Sequence, residues 1–489
     1  MMTIEKFVKS EAELKTLADH LSQMAMREPM AVFRYKQTVY DICFADRGRK
    51  NINQFSLTST YNVENIAEQI FSTVRGEELF PQNISDFELW RERTETHYVF
   101  SSKGAPLPTE KYVDYRPIPT NYDRWDDDLT AFTADYKNER ITREFGVEQR
   151  IVANSAGGVI IESKPFLNVY YRQGYEPHMV TRTLGAYVSS NDDVERLTGL
   201  IDLMPDPTPD GRIRQSASFT DAFARLHDVS REIAFPSLDE AGMSDCLTHD
   251  VIMLSGVSAH EIFGHQFEEP IHPIPVGHQS LFPIGKNVQN ENLILRDNPL
   301  QTVNGLEVIG SYRYDSYGRP AQTTTHIDHS KVVNHLGGEY IDKKNVKNFL
   351  GVDESAAIGS SRQGDDGQFP QPRMSCTVLQ GRETVDIDWG GKVLMAPFNG
   401  YVLDGNFFKV MASECYVLDA NGEPKRLGPL EGSRAIYDAI IGMHILPGLS
   451  YHTGSCFKPS ALDEQNDAEV SVSFLANHQL WEHLTLRSM

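Results

Sequence analysis

Ser258-Ala-His-Glu-Ile-Phe-Gly-His-Gln-Phe-Glu-Glu-Pro270 holds two imidazoles, His260 and His265, and the carboxylate of Glu261 in one short run. Read as H-E-x-x-x-H, it is the parts list of a hydrolytic zinc site with an uncommon spacing. In H-E-x-x-H the histidines stand at i and i+4, on one face of an α-helix, with the glutamate as general base. Here they stand at i and i+5. At about 3.6 residues per turn, five steps rotate the second ring roughly 140° from the first. A straight α-helix would point the rings apart. They can share one metal only if the helix widens, and a π-bulge with i→i+5 hydrogen bonding would do that. Gly264, just before the second histidine, lowers the cost of an irregular turn. The segment therefore predicts a helix widened or broken around Phe263 and Gly264. The bland alternative is a capped helix with two partly exposed histidines.

Outward from this segment the chain changes texture. Asp250-Val-Ile-Met-Leu254 reads as a short strand leading in. Ser255 or Ser258 can cap the helix, and Pro270 stops it near Glu269. From residue 300 onward, short β-like runs recur between turn residues: Leu306–Tyr312, Ala321–His326, Lys331–Val333, Thr377–Leu379, Gly400–Leu403, Cys415–Leu418 and Val470–Phe474. They predict a mostly antiparallel, barrel-like β domain that carries the metal-binding helix. Upstream, apolar residues recur at helical spacing over 4–26, and β-formers fill 31–45. Residues 62–76 look helical. The proline-bearing stretch 105–128 reads as a long surface connection, its Asp126–Asp128 run a solvated loop. Ala156-Gly157-Gly158 breaks the apolar run Val147–Ile161 as a hairpin turn would, and Phe166–Tyr171 follows as a second strand. Phe219, Ala222, Phe223, Leu226, Val229 and Ile233 fall on one helical face, ended by Pro236. The expected class is α+β, with an N-terminal α+β domain over 1–236 and a C-terminal β-rich domain over 237–489.

The chain has 489 residues, enough for more than one core. Its 46 basic and 68 acidic side chains leave a net charge of −22. That argues against a nucleic-acid-binding surface, which needs clustered Lys and Arg. No apolar run approaches the ~18 residues that span a bilayer, and the N-terminus has no apolar leader core. A cytoplasmic protein with no membrane partner is expected. Five cysteines, odd in number and widely spaced, are not a disulfide framework.

A catalytic zinc site keeps three protein ligands and leaves one position for water. Two histidines leave one ligand to find, and the remaining histidines and acids offer many candidates by count alone. Among the thiols Cys456 has the best setting, in a turn-rich Tyr451-His-Thr-Gly-Ser-Cys-Phe-Lys-Pro459 near Lys458, where it should be accessible and biased towards thiolate. Cys246 and Cys415 read as core thiols. Glu261 would take a proton from a metal-bound water and deliver it to the leaving amine.

Five segments, in order and in approximate spacing, resemble the TldD branch of the TldD/PmbA metallopeptidase family. His260-Glu-Ile-Phe-Gly-His-Gln-Phe-Glu268 is similar to its H-E-x-x-G-H-x-x-E stretch, and Asp315-Ser-Tyr-Gly-Arg-Pro-Ala-Gln-Thr323 to its D-x-x-G-x-P-x-Q/T segment. Pro372-Arg-Met-Ser-Cys-Thr377 resembles P-R-M-x-N-T, and Glu431-Gly-Ser-Arg-Ala-Ile-Tyr-Asp-Ala-Ile440 falls where the family has a similar stretch. Ser455-Cys-Phe-Lys458 resembles C-G-K. The resemblance covers about residues 240–460, with a weaker echo at 140–235. It implies a zinc-dependent peptidase with His260, His265 and Cys456 as ligands and Glu261 as base. It also implies a two-domain subunit that dimerises, with itself or with a related subunit, and an enclosed site reached by extended or unfolded peptides. The sequence departs from the pattern at Cys376 (for Asn), at Gln266 and Glu269-Pro270, at Phe457 (for Gly), and in lacking a glycine-rich end over 461–489. These departures leave the ligand set intact and bear on substrate preference and partner.

Other residues invite functional readings. His326 and His329 would fall on opposite faces of a strand, so structural or surface roles are expected. His249, His272 and His278 flank the motif as surface or packing residues. Arg373 could bind a peptide carbonyl or carboxylate, or form a structural ion pair. The leading expectation is a zinc metallopeptidase. The alternative is a non-catalytic, metal-containing partner or scaffold of a peptidase complex, against which the glutamate beside the ligands speaks.

Overall fold

The computed structural model describes residues 4–52, 56–68, 70–75, 95–97, 101–102, 106–174, 179–231, 235–268, 281–341, 359–364, 368–403, 406–459 and 467–489. The first helix is Glu11–Ala25, preceded by a separate 3-10 turn at Ile4–Lys6. Ser10 and Glu13 form a capping box that fixes its start. Leu14, Leu17, Ala18 and Leu21 bury one face against Phe33, Tyr35, Ile151 and Ile161.

Those last residues belong to an open sheet of nine strands among the described residues. Its centre is the strand Ala31–Asp46, paired antiparallel with Ser56–Asn65 on one side and Glu139–Asn154 on the other. Asn154 Oδ1 accepts hydrogen bonds from the N–H groups of Ala156 and Gly158, closing the expected hairpin into Val159–Gln173. Gly157 sits there at φ +87°, a conformation that suits glycine.

Two upstream expectations fail here. Residues 62–76 are not helical: Ser56–Asn65 and Ile70–Arg75 are paired strands. Thr60, Asn62 and Glu64 are buried as well as Tyr61 and Val63, and across the turn between the strands Val63, Ile66, Ala67, Ile70, Phe71 and Val74 fall at helical spacing. Glu64 meets the buried Arg34 at 2.7 Å. The stretch 105–128 is not all connection. Lys111–Tyr115 adds a parallel strand, and Asp126 opens the helix Asp126–Asp135. Asp126 is buried, not solvated, because Arg143 binds it through Nε and Nη2 at 3.0 and 2.8 Å.

The second half forms a mostly antiparallel sheet of thirteen strands among the described residues. Its centre is the 22-residue strand Asp467–Ser488. That strand pairs with Met443–Pro459, Cys376–Gly381, Thr248–Met253 and Leu430–Ala435. Cys376–Gly381 runs parallel to it, and Thr248–Met253 runs parallel to Val393–Ala396. The strand order has two ends, so the sheet is open and the expected barrel does not close.

The two sheets share a core in which Phe145, Tyr171 and Phe223 pack with Val378, Tyr451 and Leu475. A second core holds Ile262, Phe263 and Phe267 of the motif segment among Met253, Phe408 and Trp481. Cys415 is buried as expected, whereas Cys246 is exposed, at φ +57° in the turn before Thr248–Met253. A buried ion pair ties the sheets: Arg182 of Val180–Tyr187 forks onto both carboxylate oxygens of Glu414. Tyr416 Oη donates to the same carboxylate at 2.9 Å. Removing one member leaves the other charge buried without its counter-ion. Glu414→Gln should cost about 3–5 kcal/mol of stability, read as a lower denaturant midpoint; an unchanged midpoint would show that the pair does not hold the sheets together.

Candidate metal centre

The motif segment is a π-helix over Ala259–Gly264 that passes into a short α-turn at His265–Glu268. The N–H of His265 reaches the carbonyl of His260, the i→i+5 bond that the spacing demands. The widened turn brings the two rings to 4.9 Å between centroids at an interplanar angle of 73°. Neither serine caps the helix through its side chain. Ser258 is itself in helical geometry (φ −59°, ψ −35°), and Ser255 Oγ turns to the carbonyl of Pro397 at 3.4 Å.

Cys456 joins them from far along the chain. One ligand atom each from His260, His265 and Cys456 lies within 4.8 Å of the others, a group able to hold a metal ion. Cys456 Sγ stands 3.6 Å from His265 Nε2. The expected open loop is instead the strand Met443–Pro459, and Cys456 is only 2% exposed. Fourteen residues of that strand pair with Asp467–Ser488, Cys456 opposite Val470, and alternation turns the thiol inward. Burial pushes the thiol up, while the charges of Arg373 and Lys458 pull it back towards thiolate.

His260 is fully buried, and burial disfavours its protonation. Its Nδ1 lies 2.7 Å from Thr377 Oγ1, and that hydroxyl donates onward to Met374 Sδ at 3.7 Å. A ring proton on Nδ1, donated to Thr377, leaves the lone pair on Nε2. Among the described residues Nε2 is buried with no hydrogen-bond partner, as suits a nitrogen meant for a cation. Glu261 Oε2 is 3.7 Å from His265 Nδ1. Its burial raises the carboxyl to about 7, against the opposing charges of His260 and Lys458.

The Pro372–Thr377 segment is the platform beneath this helix. Arg373 Nε meets the Glu268 carboxylate at 2.9 Å, both side chains fully buried, and Arg373 Nη2 donates to the carbonyl of Cys456 at 2.6 Å. The ion pair is the structural one of its two expected roles. Met374 packs so close that a Cβ on Gly264 would lie 2.6 Å from its Sδ. A side chain at that position would have to displace the end of Met374. Asp297, held up at about 6 by burial, accepts from the N–H groups of Ser375 and Cys376 at 2.8 and 3.0 Å and fixes the loop. Cys376 lies buried behind it. Lys458, expected only to bias Cys456 towards thiolate, does more than the sequence reading assigned it. It follows Cys456 by two on the same strand, so it shares the buried face, and its charge acts on His260, Glu261 and Cys456. The i, i+2 step from the cysteine was the available signal.

The other histidines stay outside. His326 stacks on Phe267 at 4.7 Å, beside His335, and burial holds both neutral, at about 3 and about 4. His329 is exposed beside Asp328. His249 turns to the carbonyl of Ser244 at 2.8 Å. His272 and His278 lie outside the described residues.

The architecture is a known one that runs the whole length of the chain. It is that of TldE from Thermococcus kodakarensis, which matches at a TM-score of 0.61 and 12% identity over 96% of this chain and 100% of that one. A candidate modulator of DNA gyrase from Thermotoga maritima MSB8 matches at 0.55 and 14% identity over 96% and 99%. Another, from Bacteroides thetaiotaomicron VPI-5482, matches at 0.55 and 11% over 98% and 100%. No family model and no curated protein matches the sequence. At these identities the likeness is one of fold. Among the described residues no helix is long and apolar enough to cross a membrane.

Thr377 orients His260 from outside the ligand group. Thr377→Val keeps the volume and removes the acceptor, and it should weaken metal binding about 10–100-fold. Competition with a chromophoric chelator measures this, and an unchanged affinity would take Thr377 out of the site.

Proposed function

We propose that the chain is a zinc-dependent peptidase of the TldD kind, with His260, His265 and Cys456 as ligands and Glu261 as general base. The observation that carries this reading is the buried, partnerless Nε2 of His260 within reach of a second imidazole and a thiol. A nitrogen at about 2.0–2.1 Å and a sulfur at about 2.3 Å from one tetrahedral zinc stand about 3.6 Å apart. Cys456 Sγ and His265 Nε2 are 3.6 Å apart. When bound, zinc would polarise a carbonyl and lower the pKa of water at its open position.

The chain's own residues supply the rest. Glu261, at the rim of the helix and beside His265, is placed to accept a proton from the attacking water and return it to the leaving amine. Lys458, whose charge acts on Glu261, would stabilise negative charge developing on the carbonyl oxygen. The strand Asn399–Leu403 passes so close that a Cβ at Gly400 would lie 3.2 Å from that of Glu261. This strand is paired on one side only among the described residues, so an extended peptide can add to its other edge by backbone hydrogen bonds. The substrates are extended or unfolded peptides. Phe398, Tyr401 and Phe407 are exposed around the same edge, an apolar face suited to a second subunit, its own copy or a related chain.

Purified protein should carry one zinc per chain, and Cys456→Ser should lose most of it. Glu261→Gln should keep the metal and lose at least about 10²-fold in cleavage of a peptide library; cleavage at the wild-type rate would rule out this mechanism. Lys458→Met should lower kcat by about 10²-fold with little change in KM, and Lys458→Arg should restore part of it.

A further inference from the structure

A cavity of about 430 Å³ opens beside the candidate centre, a volume within the roughly 300–1,000 Å³ typical of small-molecule sites. Its wall is mainly apolar, with Met179, Pro205, Val257, Pro397, Phe398 and Pro429. It meets the centre along three elements. Val257 leads into the π-helix and packs with Cys456 and Phe474. Pro397 and Phe398 lead into the strand Asn399–Leu403, whose Gly400 lies against Glu261. His452 comes from the strand of the thiol. Alternation puts His452, Gly454, Cys456 and Lys458 on one face of that strand, so the cavity and the thiol share a side. Gly454 leaves room between them for Phe474, whose ring meets His452 at 6.1 Å and His260 at 4.8 Å.

The polar part of the wall is largely satisfied within itself. Arg182 and Glu414 pair with each other. Burial, then the charge of Arg182, keeps His452 neutral, at about 4. Arg172 stands exposed at the rim. One donor is left over. Arg182 is only 2% exposed, and its Nη1 and Nη2 serve Glu414 and the carbonyls of Thr181 and Pro205. Its Nε–H has no acceptor among the described residues. A buried donor without an acceptor is costly, and a guest that supplies one removes the cost. Hydrocarbon alone supplies none. A peptide supplies both an apolar side chain for the wall and a carbonyl for the donor.

The register of such a peptide follows from the strand. Phe398 precedes Gly400 by two residues, and its N–H still pairs with the carbonyl of Met411. Residues two apart share a face and stand roughly 6.6 Å from each other. A peptide added to the edge of Asn399–Leu403, with its scissile bond beside Glu261, therefore brings a side chain roughly two residues away to Phe398 and the mouth of the cavity.

We propose that this cavity takes a large apolar side chain of the substrate, roughly two residues from the scissile bond, so that the peptides cut carry leucine, isoleucine, methionine or phenylalanine at that place; this rests on the peptidase reading above. The binding test uses full-length, zinc-loaded Glu261→Gln protein and a fluorescein-labelled Gly/Gln peptide with one central Leu, beside a twin with Ala there. By anisotropy the leucine peptide should bind at least about tenfold tighter. Thr181 lines the cavity from the first sheet and is half-buried. Thr181→Trp fills the space and should abolish the preference at unchanged zinc content. If that variant does not fold, Met179→Ala, which widens the cavity, should move the preference from leucine towards phenylalanine. Equal binding of the two peptides, or a preference that the folded variant leaves unchanged, overturns the proposal. Cleavage of a random peptide library by the wild-type protein, with products read by mass spectrometry, separates the two readings. Cuts with apolar residues enriched at one place near the scissile bond support both. Cuts without that enrichment remove the cavity site and leave the peptidase. A leucine preference in binding that Thr181→Trp abolishes, without any cuts, leaves the cavity site and removes the peptidase.

Discussion

Two imidazoles five residues apart face one point only if the helix between them is wider than an α-helix. That requirement organises much of the second half of the chain. A π-turn has poor intrinsic stability and persists where its surroundings over-determine it. Here the surroundings are Met374, pressed against Gly264, and Thr377, hydrogen-bonded to His260. Arg373 sits between the end of the helix at Glu268 and the backbone of Cys456. One short loop thus holds the helix open and fixes the strand that brings the thiol. Asp297 fixes the loop in turn. The chain of support runs from a buried carboxylate through a loop to an imidazole.

The electrostatics of the centre follow from the same packing. His260 and the thiol of Cys456 are buried where charge is costly, and that burial favours the neutral imidazole and thiol in the protein alone. A cation placed among them would reverse the balance for Cys456 and Glu261 by direct attraction. Arg373 and Lys458 already lean that way, which lessens the cost of a buried thiolate. The Arg373–Glu268 pair adds charge without adding net charge, so it can stand at the core of the site without repelling an ion.

Much of this was legible in the sequence, and what was not has physical reasons. The i+5 step announced the π-turn because side-chain angle follows directly from residue count. The strand at 31–45, the turn at Ala156-Gly157-Gly158 and the helix from Phe219 were legible through local chemistry. Residues 62–76 were misread because Val63, Ile66, Ala67, Ile70, Phe71 and Val74, spread over two strands and the turn between them, happen to fall at helical spacing. Asp126 looked solvated because its partner Arg143 is a tertiary one, invisible to local pattern. Cys456 looked like a loop residue because glycine and serine surround it; only the long partner strand reveals the sheet. The open sheet in place of a barrel is likewise a matter of long-range pairing. The five matching segments could be set in order along the sequence, but only the fold shows that Pro372–Thr377 lies against the π-helix and the strand of Cys456.

The strand Asp467–Ser488 has a consequence in time. It hydrogen-bonds to the strand that carries Cys456, to the one that carries Thr377 and to the one that leads into the π-helix. It is also synthesised after each of them. During translation, His260 and His265 leave the ribosome well before the strand that docks Cys456 beside them can form. A nascent chain therefore has no finished centre, and whatever chemistry the centre performs is withheld until the sheet closes over its last strand.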